Sequence, residues 1–312
     1  MKLSTTLRGY EDALRDGSLH VYATNSCYDR CAHCYMSAVS ENSSNAKYID
    51  TYNLLHFVDL LRQDKPKGIS ITLTGGDPLL HPEAVKILDE LSSHSRLEVM
   101  TSGFALSSRN TTNRKELLES MAKSKARFLV ASPEEPYHSI TWDDISDIRK
   151  YIKEQGFNPN KLDYASKGGN IAQKVLLTST IIGGVVMASN YLVDKYSNNK
   201  NNTGNPNNKK VNMPLAIPIG RAEKLPQELQ KPGTSTCTSL ESPGAIYVNY
   251  DGKLQYCIYS CHDGFMNIDE LKDTIDKKDA IKLIIDRLSK DITFQDMITY
   301  DRCYFSKKIR KK

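Results

Sequence analysis

Through its first half the chain alternates short apolar, strand-forming runs with amphipathic segments, and that alternation limits the folds open to it. Residues 20–23, 68–73, 97–100 and 126–131 read as strands. Between them, residues 52–63, 82–94 and 114–123 carry apolar side chains at helical spacing: Leu54, Leu55, Val58 and Leu61 in the first, Val85, Leu88 and Leu91 in the second. Pro82 is expected in the first turn of its helix. A further helix runs from a Thr141 cap, with Asp144 three residues on, to Gly156. Residues 174–178 and 213–217 read as a fifth and a sixth strand. Repeated strand–helix units build a parallel sheet, and this many suggest a full or partial barrel. Its chemistry belongs on the loops after the strands' carboxyl ends. The Asn-rich stretch 196–211 reads as a surface insertion. Beyond Arg221 the pattern changes: residues 245–250 and 253–256 flank an Asp251-Gly252 turn as a hairpin, and an amphipathic helix follows at 278–288. We therefore expect a core over residues 1–222 and a small α+β domain, hairpin plus helix, over 223–312.

Charge and hydropathy exclude several classes of function. The 42 Lys and Arg against 37 Asp and Glu of this 312-residue chain give +5. The last six residues carry five positive charges and no acid, so the other 306 sum to zero. A basic tail is not a basic face, and no nucleic-acid partner is expected. The longest apolar run, residues 181–188, is too short to cross a bilayer, and the first residues lack the apolar core of a signal peptide. The expected compartment is the cytoplasm, where seven cysteines are metal ligands or catalytic groups before they are disulfides.

Three of those cysteines, Cys27, Cys31 and Cys34, fall within eight residues just after the first strand. Three thiolates on one loop can wrap a single metal centre and leave a coordination position open, whereas a closed structural zinc site wants four ligands. Cys27-x3-Cys31-x2-Cys34 resembles the signature of the radical SAM superfamily. Thr74-Gly75-Gly76-Asp77-Pro78, after the second strand, is similar to the family's Gly-Gly-Glu-Pro segment, with Asp in place of the commoner Glu. Thr101-Ser102-Gly103, after the third, stands where the family has Thr-Asn-Gly. Pro218-Ile219-Gly220-Arg221-Ala222 resembles a segment of members with a C-terminal cluster domain.

The resemblance implies a partial (β/α)6 TIM-like barrel. It implies a 4Fe-4S cluster on Cys27, Cys31 and Cys34, with S-adenosyl-L-methionine on the open iron. His33, Gly75, Gly76, Asp77, Pro78, Ser102, Ser132 and Arg221 are the implied cofactor contacts. His138, on the loop after the fourth strand, is expected to face the SAM ribose or the substrate, or else solvent. Cys237, Cys257, Cys261 and Cys303, with the hairpin between the first two, resemble a SPASM or shorter twitch extension holding a second, auxiliary 4Fe-4S cluster; a structural zinc on four thiolates is the alternative. If all four are ligands, no cysteine remains as a hydrogen donor; with three-cysteine ligation Cys303 or Cys261 becomes one.

The implied activity starts with an electron from a flavodoxin- or ferredoxin-type reductant. SAM is cleaved to methionine and a 5′-deoxyadenosyl radical, which takes a hydrogen atom from a substrate carbon. The expected role is maturation of a ribosomally made peptide. The alternative is dehydrogenation or epimerisation of a small molecule such as an aminoglycoside or nucleoside sugar. A zinc protein binding nucleic acid and a non-catalytic iron–sulfur electron carrier are the remote alternatives.

Overall fold

The computed structural model describes residues 3–16, 18–31, 34, 36–65, 68–110, 113–131, 138–164, 245–257, 260 and 263–299. The expected strands at 174–178 and 213–217, the Asn-rich stretch, the 222/223 boundary, His33, Ser132, Arg221, Cys237, Cys261, Cys303 and the basic tail lie outside them. The described elements are, in order, α1 (Leu3–Asp16), β1 (Ser18–Thr24), β2 (Ser26–Cys27), β3 (Val39–Ser40), α2 (Thr51–Arg62), β4 (Ser70–Gly75), α3 (Ala84–His94), β5 (Arg96–Thr101), α4 (Arg114–Lys123), β6 (Arg127–Val130), α5 (Trp142–Glu154) and β7 (Leu162–Tyr164). After the gap come β8 (Ile246–Val248), β9 (Lys253–Gln255), β10 (Met266–Asn267), α6 (Lys277–Lys290) and α7 (Ile292–Thr299).

Among the described residues, eight strands form one sheet in the order β10-β9-β8-β1-β4-β5-β6-β7. From β8 to β7 every neighbouring pair is parallel. The architecture is α/β with a parallel-rich sheet, as the strand–helix alternation predicts. Period-two alternation sorts the strand residues onto two faces. Leu19, Val21 and Ala23 of β1, Ile71 and Leu73 of β4, Leu97 and Val99 of β5, and Phe128 and Val130 of β6 join the helices in the main apolar core. Their in-between neighbours are more polar: His20, Thr72, Glu98 and Arg127 lie side by side in register. On that face Arg127 bridges Glu98 at 3.4 Å and Asp163 at 2.9 Å. Tyr22 and Tyr247 pack there with Met36, Ala245 and Tyr250 in a smaller cluster that Cys34 borders.

The α5 cap is formed as expected. Thr141 accepts the Asp144 N–H, Asp144 returns the bond to the Thr141 N–H, and Gly156 takes a φ of +78° just past the end. Three features differ from expectation. Pro82 stands before α3 rather than in its first turn, because the 3-10 turn Pro78–Leu80 and a short turn occupy residues 78–83 and α3 begins at Ala84. β7, a strand that the sequence reading did not place, follows α5 and pairs with β6 directly. Residues 3–16, to which the sequence reading assigned no element, form α1, whose Tyr10 hydroxyl donates to the Tyr256 carbonyl and whose ring meets Phe294 edge-on at 5.6 Å. No helix of the described residues is long and apolar enough to cross a membrane.

His20 is buried on β1, its ring 5.1 Å from that of Tyr247, and its Nε2 has no hydrogen-bond partner among the described residues. Burial lowers its pKa from 6.5 to about 4. The native state therefore binds a proton less readily than the unfolded chain. The His20 contribution is whole above pH 6.5 and is lost as pH falls toward 4, about 3 kcal/mol in all. We expect His20→Leu to remove that part of the acid sensitivity, measured as urea stability between pH 7 and 4. Equal slopes in both proteins would show that His20 is solvated.

Candidate functional site

The carboxyl ends of β1, β4 and β5 converge. β1 continues through Asn25 into β2, which ends on Cys27, and the end of β4 lies against this segment. The Gly76 N–H donates to the Thr24 carbonyl and the Asp77 N–H to the Ser26 carbonyl, both at 2.7 Å. The approach is closer than a side chain allows. A Cβ on Gly76 would stand 2.0 Å from the Ser26 carbonyl oxygen, and one on Gly75, where φ is +128°, 2.5 Å from that of Thr24. The resemblance gives these glycines a ligand to approach; the structure also gives them the backbone leading into the cysteine loop.

Asp77 is fully buried and joins β4 to β5. One oxygen accepts the Thr101 hydroxyl at 2.7 Å and the Leu79 N–H at 3.1 Å, and the other accepts the Ser102 hydroxyl. Burial pushes its pKa up, against the pull of these bonds. Pro78 opens the 3-10 turn that Asp77 caps. At Gly103, φ is +82° and a Cβ would meet Val130 at 2.3 Å, so the Ser102–Gly103 turn packs on β6. Four of the expected cofactor contacts, Gly75, Gly76, Asp77 and Ser102, thus share one network beside the cysteines, with Pro78 next to it.

None of Cys27, Cys31 and Cys34 is in a disulfide; Cys27 is buried and the other two half-buried. The Cys34 N–H donates to the Cys31 carbonyl at 3.1 Å and the Ser37 N–H to the Cys34 carbonyl at 3.3 Å, so the loop turns tightly between them. Two sulfurs already accept backbone N–H groups, Cys27 from Asp29 at 3.3 Å and Cys34 from Ala38 at 3.5 Å. Burial, and then the Asp77 charge, push the Cys27 thiol up, so a cationic centre is needed to hold it as thiolate. Three thiols on one turned loop with N–H groups aimed at sulfur fit an iron–sulfur cluster with an open position.

Asp29 is a residue the sequence reading missed. It is 3% exposed and accepts the Ser139 N–H at 2.8 Å, tying the cysteine loop to the loop after β6. Asp29, Cys31 and His138 bring ligating atoms within 4.8 Å of one another. An acid inside a Cys-x3-Cys spacer has no periodicity to mark it. Tyr28 packs on Phe104 at 4.6 Å, which ties the cysteine loop to the turn after β5 as well. Of the second cysteine set Cys257 is described: it is buried just beyond β9, and its N–H donates to the Ser260 hydroxyl at 3.2 Å.

Residues 21–164 match the family model described as Radical SAM superfamily. No curated protein matches the chain. Among solved structures, Streptococcus suis SuiB bound to S-adenosylmethionine aligns at TM-score 0.49 and 14% identity, over 90% of this chain and 67% of that one. BtrN in complex with AdoMet and 2-DOIA aligns at TM-score 0.44 and 14% identity, over 91% of this chain and 97% of that one. Native anSMEcpe with bound AdoMet and Cp18Cys peptide aligns at TM-score 0.41 and 15% identity, over 89% and 86%. The stretch that runs from β1 through the cysteine loop, Asp77 and Ser102 to β7 is the part of the chain that matches the Radical SAM superfamily model.

Proposed function

We propose that this protein is a radical SAM oxidoreductase or maturase whose first cluster sits on Cys27, Cys31 and Cys34. The observation that carries the reading is the network at the ends of β1, β4 and β5, where Asp77 bonds both Thr101 and Ser102 while its own N–H holds the strand leading to Cys27. Cys27, Cys31 and Cys34 would hold a 4Fe-4S cluster, which would supply the one-electron reductive cleavage of S-adenosylmethionine needed for abstraction of a substrate hydrogen atom. The chain's part is to bind and to orient. The Gly75–Gly76 backbone fixes the distance between the two motifs. We assign to Asp77, a buried carboxylate beside the loop, the ammonium of the methionine moiety, whose charge would hold it ionised against its burial. Holding the reacting groups at contact and excluding water is most of what such a protein contributes.

We further propose that residues 223–312 form a twitch-type domain with an auxiliary 4Fe-4S cluster on Cys237, Cys257, Cys261 and Cys303, and that a flavodoxin- or ferredoxin-type protein is the reductant. The substrate we favour is a ribosomally made peptide, on the resemblance to peptide-modifying members. An aminoglycoside or nucleoside sugar is the alternative.

Anaerobic reconstitution with iron and sulfide, then dithionite and SAM, should release 5′-deoxyadenosine. Protein that takes up only zinc, or that loads iron and releases none, would end this reading. A variant lacking Cys27, Cys31 and Cys34 should keep about half of the iron, that of the auxiliary cluster.

A further inference from the structure

The Cys27 sulfur accepts the Asp29 N–H and the Cys34 sulfur the Ala38 N–H. Among the described residues, Asp29 and His138 bring ligating atoms within 4.8 Å of the Cys31 sulfur. His138 comes from a different part of the chain, the loop after β6, and is held there from two directions. The N–H of the next residue, Ser139, is bound by the buried Asp29 carboxylate at 2.8 Å. One residue further, the Ile140 side chain lies at the site of the missing Gly103 Cβ, 2.4 Å away, so that strand end and turn are closely packed. The chain on either side of the ring is thus held, and a ring nitrogen of His138 stands within 4.8 Å of the Cys31 sulfur.

We propose that His138 donates its ring N–H to the Cys31 thiolate when the cluster is bound, and so sets how easily that cluster is reduced. This rests on the cluster assignment above. Reduction adds one electron from the flavodoxin- or ferredoxin-type donor to a centre already negative through its thiolates. Part of that charge falls on sulfur, and an N–H donor stabilises the reduced form more than the oxidised one. Metal ligands are tuned in this way by the groups around them. His138 is then a positioning and tuning residue, and Asp29 is the clamp that keeps it in place.

The test uses the full chain, reconstituted anaerobically. The midpoint potential is read by electron paramagnetic resonance, following the signal that changes on adding SAM. In His138→Leu the reduced fraction at a fixed potential should fall about tenfold, a shift of about 59 mV to more negative values for a one-electron couple. Iron loading should stay at the wild-type level. His138→Gln, which keeps an N–H donor, should recover most of the shift. Because a variant can fail to load, the wild type gives a second reading. With ¹⁵N-histidine incorporated, the reduced cluster should show one weakly coupled nitrogen, absent from His138→Leu.

An unchanged midpoint overturns the inference, and so does a change confined to SAM affinity, which would make His138 a cofactor contact. Loss of iron in both variants, or a nitrogen coupling of the size expected for direct ligation, overturns it too. A wild-type protein that takes no cluster defeats the parent reading instead, so the two failures are distinct.

Discussion

Replacing Cys31 by alanine should abolish 5′-deoxyadenosine release while leaving the fold intact. Three thiolates are the fewest that hold a 4Fe-4S centre with one iron open, and losing one opens a second position to solvent. Disturbing even an outer-shell partner of a metal ligand costs 10–100-fold, so removal of a ligand should cost at least ~100-fold. Among the three, Cys31 is the cleanest to change. Cys27 is buried, and its loss would leave a cavity as well as an open site. Cys31 is half-buried at the mouth of the loop, so its replacement should move stability by less than ~1 kcal/mol. The expected pattern is normal thermal unfolding, auxiliary iron retained and no SAM cleavage. Cleavage persisting in Cys31→Ala would remove the basis for the assignment.

The second large effect is expected at Gly76. Its missing Cβ would sit 2.0 Å from the Ser26 carbonyl oxygen and 2.5 Å from the carbonyl carbon, both backbone atoms that cannot rotate away. Gly76→Ala must therefore push the end of β4 off the segment entering the cysteine loop. The two 2.7 Å bonds from the Gly76 and Asp77 N–H groups would be strained or broken. Overpacking of this kind should cost about 3 kcal/mol or more. At a few degrees per kcal/mol, unfolding should come roughly 6–12 °C lower. Iron loading should fall with it, because the loop loses the strand end that holds it. Gly156→Ala is the matched control. Its φ is +78°, but nothing lies within 4 Å of the added methyl, so only the backbone penalty of about 1 kcal/mol applies. If the two variants unfold alike, the close approach at Gly76 is not what holds the site together.

Local features of this chain were legible because they depend on neighbours in sequence. The α5 cap needs only Thr141 and Asp144, and both bonds are present. The four strands of the first half follow from apolar runs that end where the motifs begin. What sequence did not reveal depends on distant partners. α1 has Leu7, Tyr10 and Leu14 at helical spacing, a signal that was there, but its identity as packed structure comes from Tyr256 and Phe294. β7 is three residues long and follows a Pro159–Lys161 turn, too short for periodicity to register. The partnership of Asp29 with Ser139 spans 110 residues, and no local pattern announces it. At the site, the cysteine spacing and Gly75-Gly76-Asp77 carried the resemblance on which the proposed chemistry rests. The clamp that places His138 came only from the fold.

The position of β8 has a consequence for how the molecule is made. β1 lies between β4 and β8, and the residue that pairs with Leu19 on its far side is Ile246, more than two hundred residues later. Until that segment emerges from the ribosome, one side of β1 is a bare row of N–H and C=O groups beside apolar Leu19, Val21 and Ala23. α1 waits as long, because Tyr256 and Phe294 arrive later still. Closure over such a span makes for slow assembly. The nascent first half, cysteine loop included, would spend its early life with an open flank, so iron delivered before synthesis ends would meet a loop whose supporting strand is only half paired.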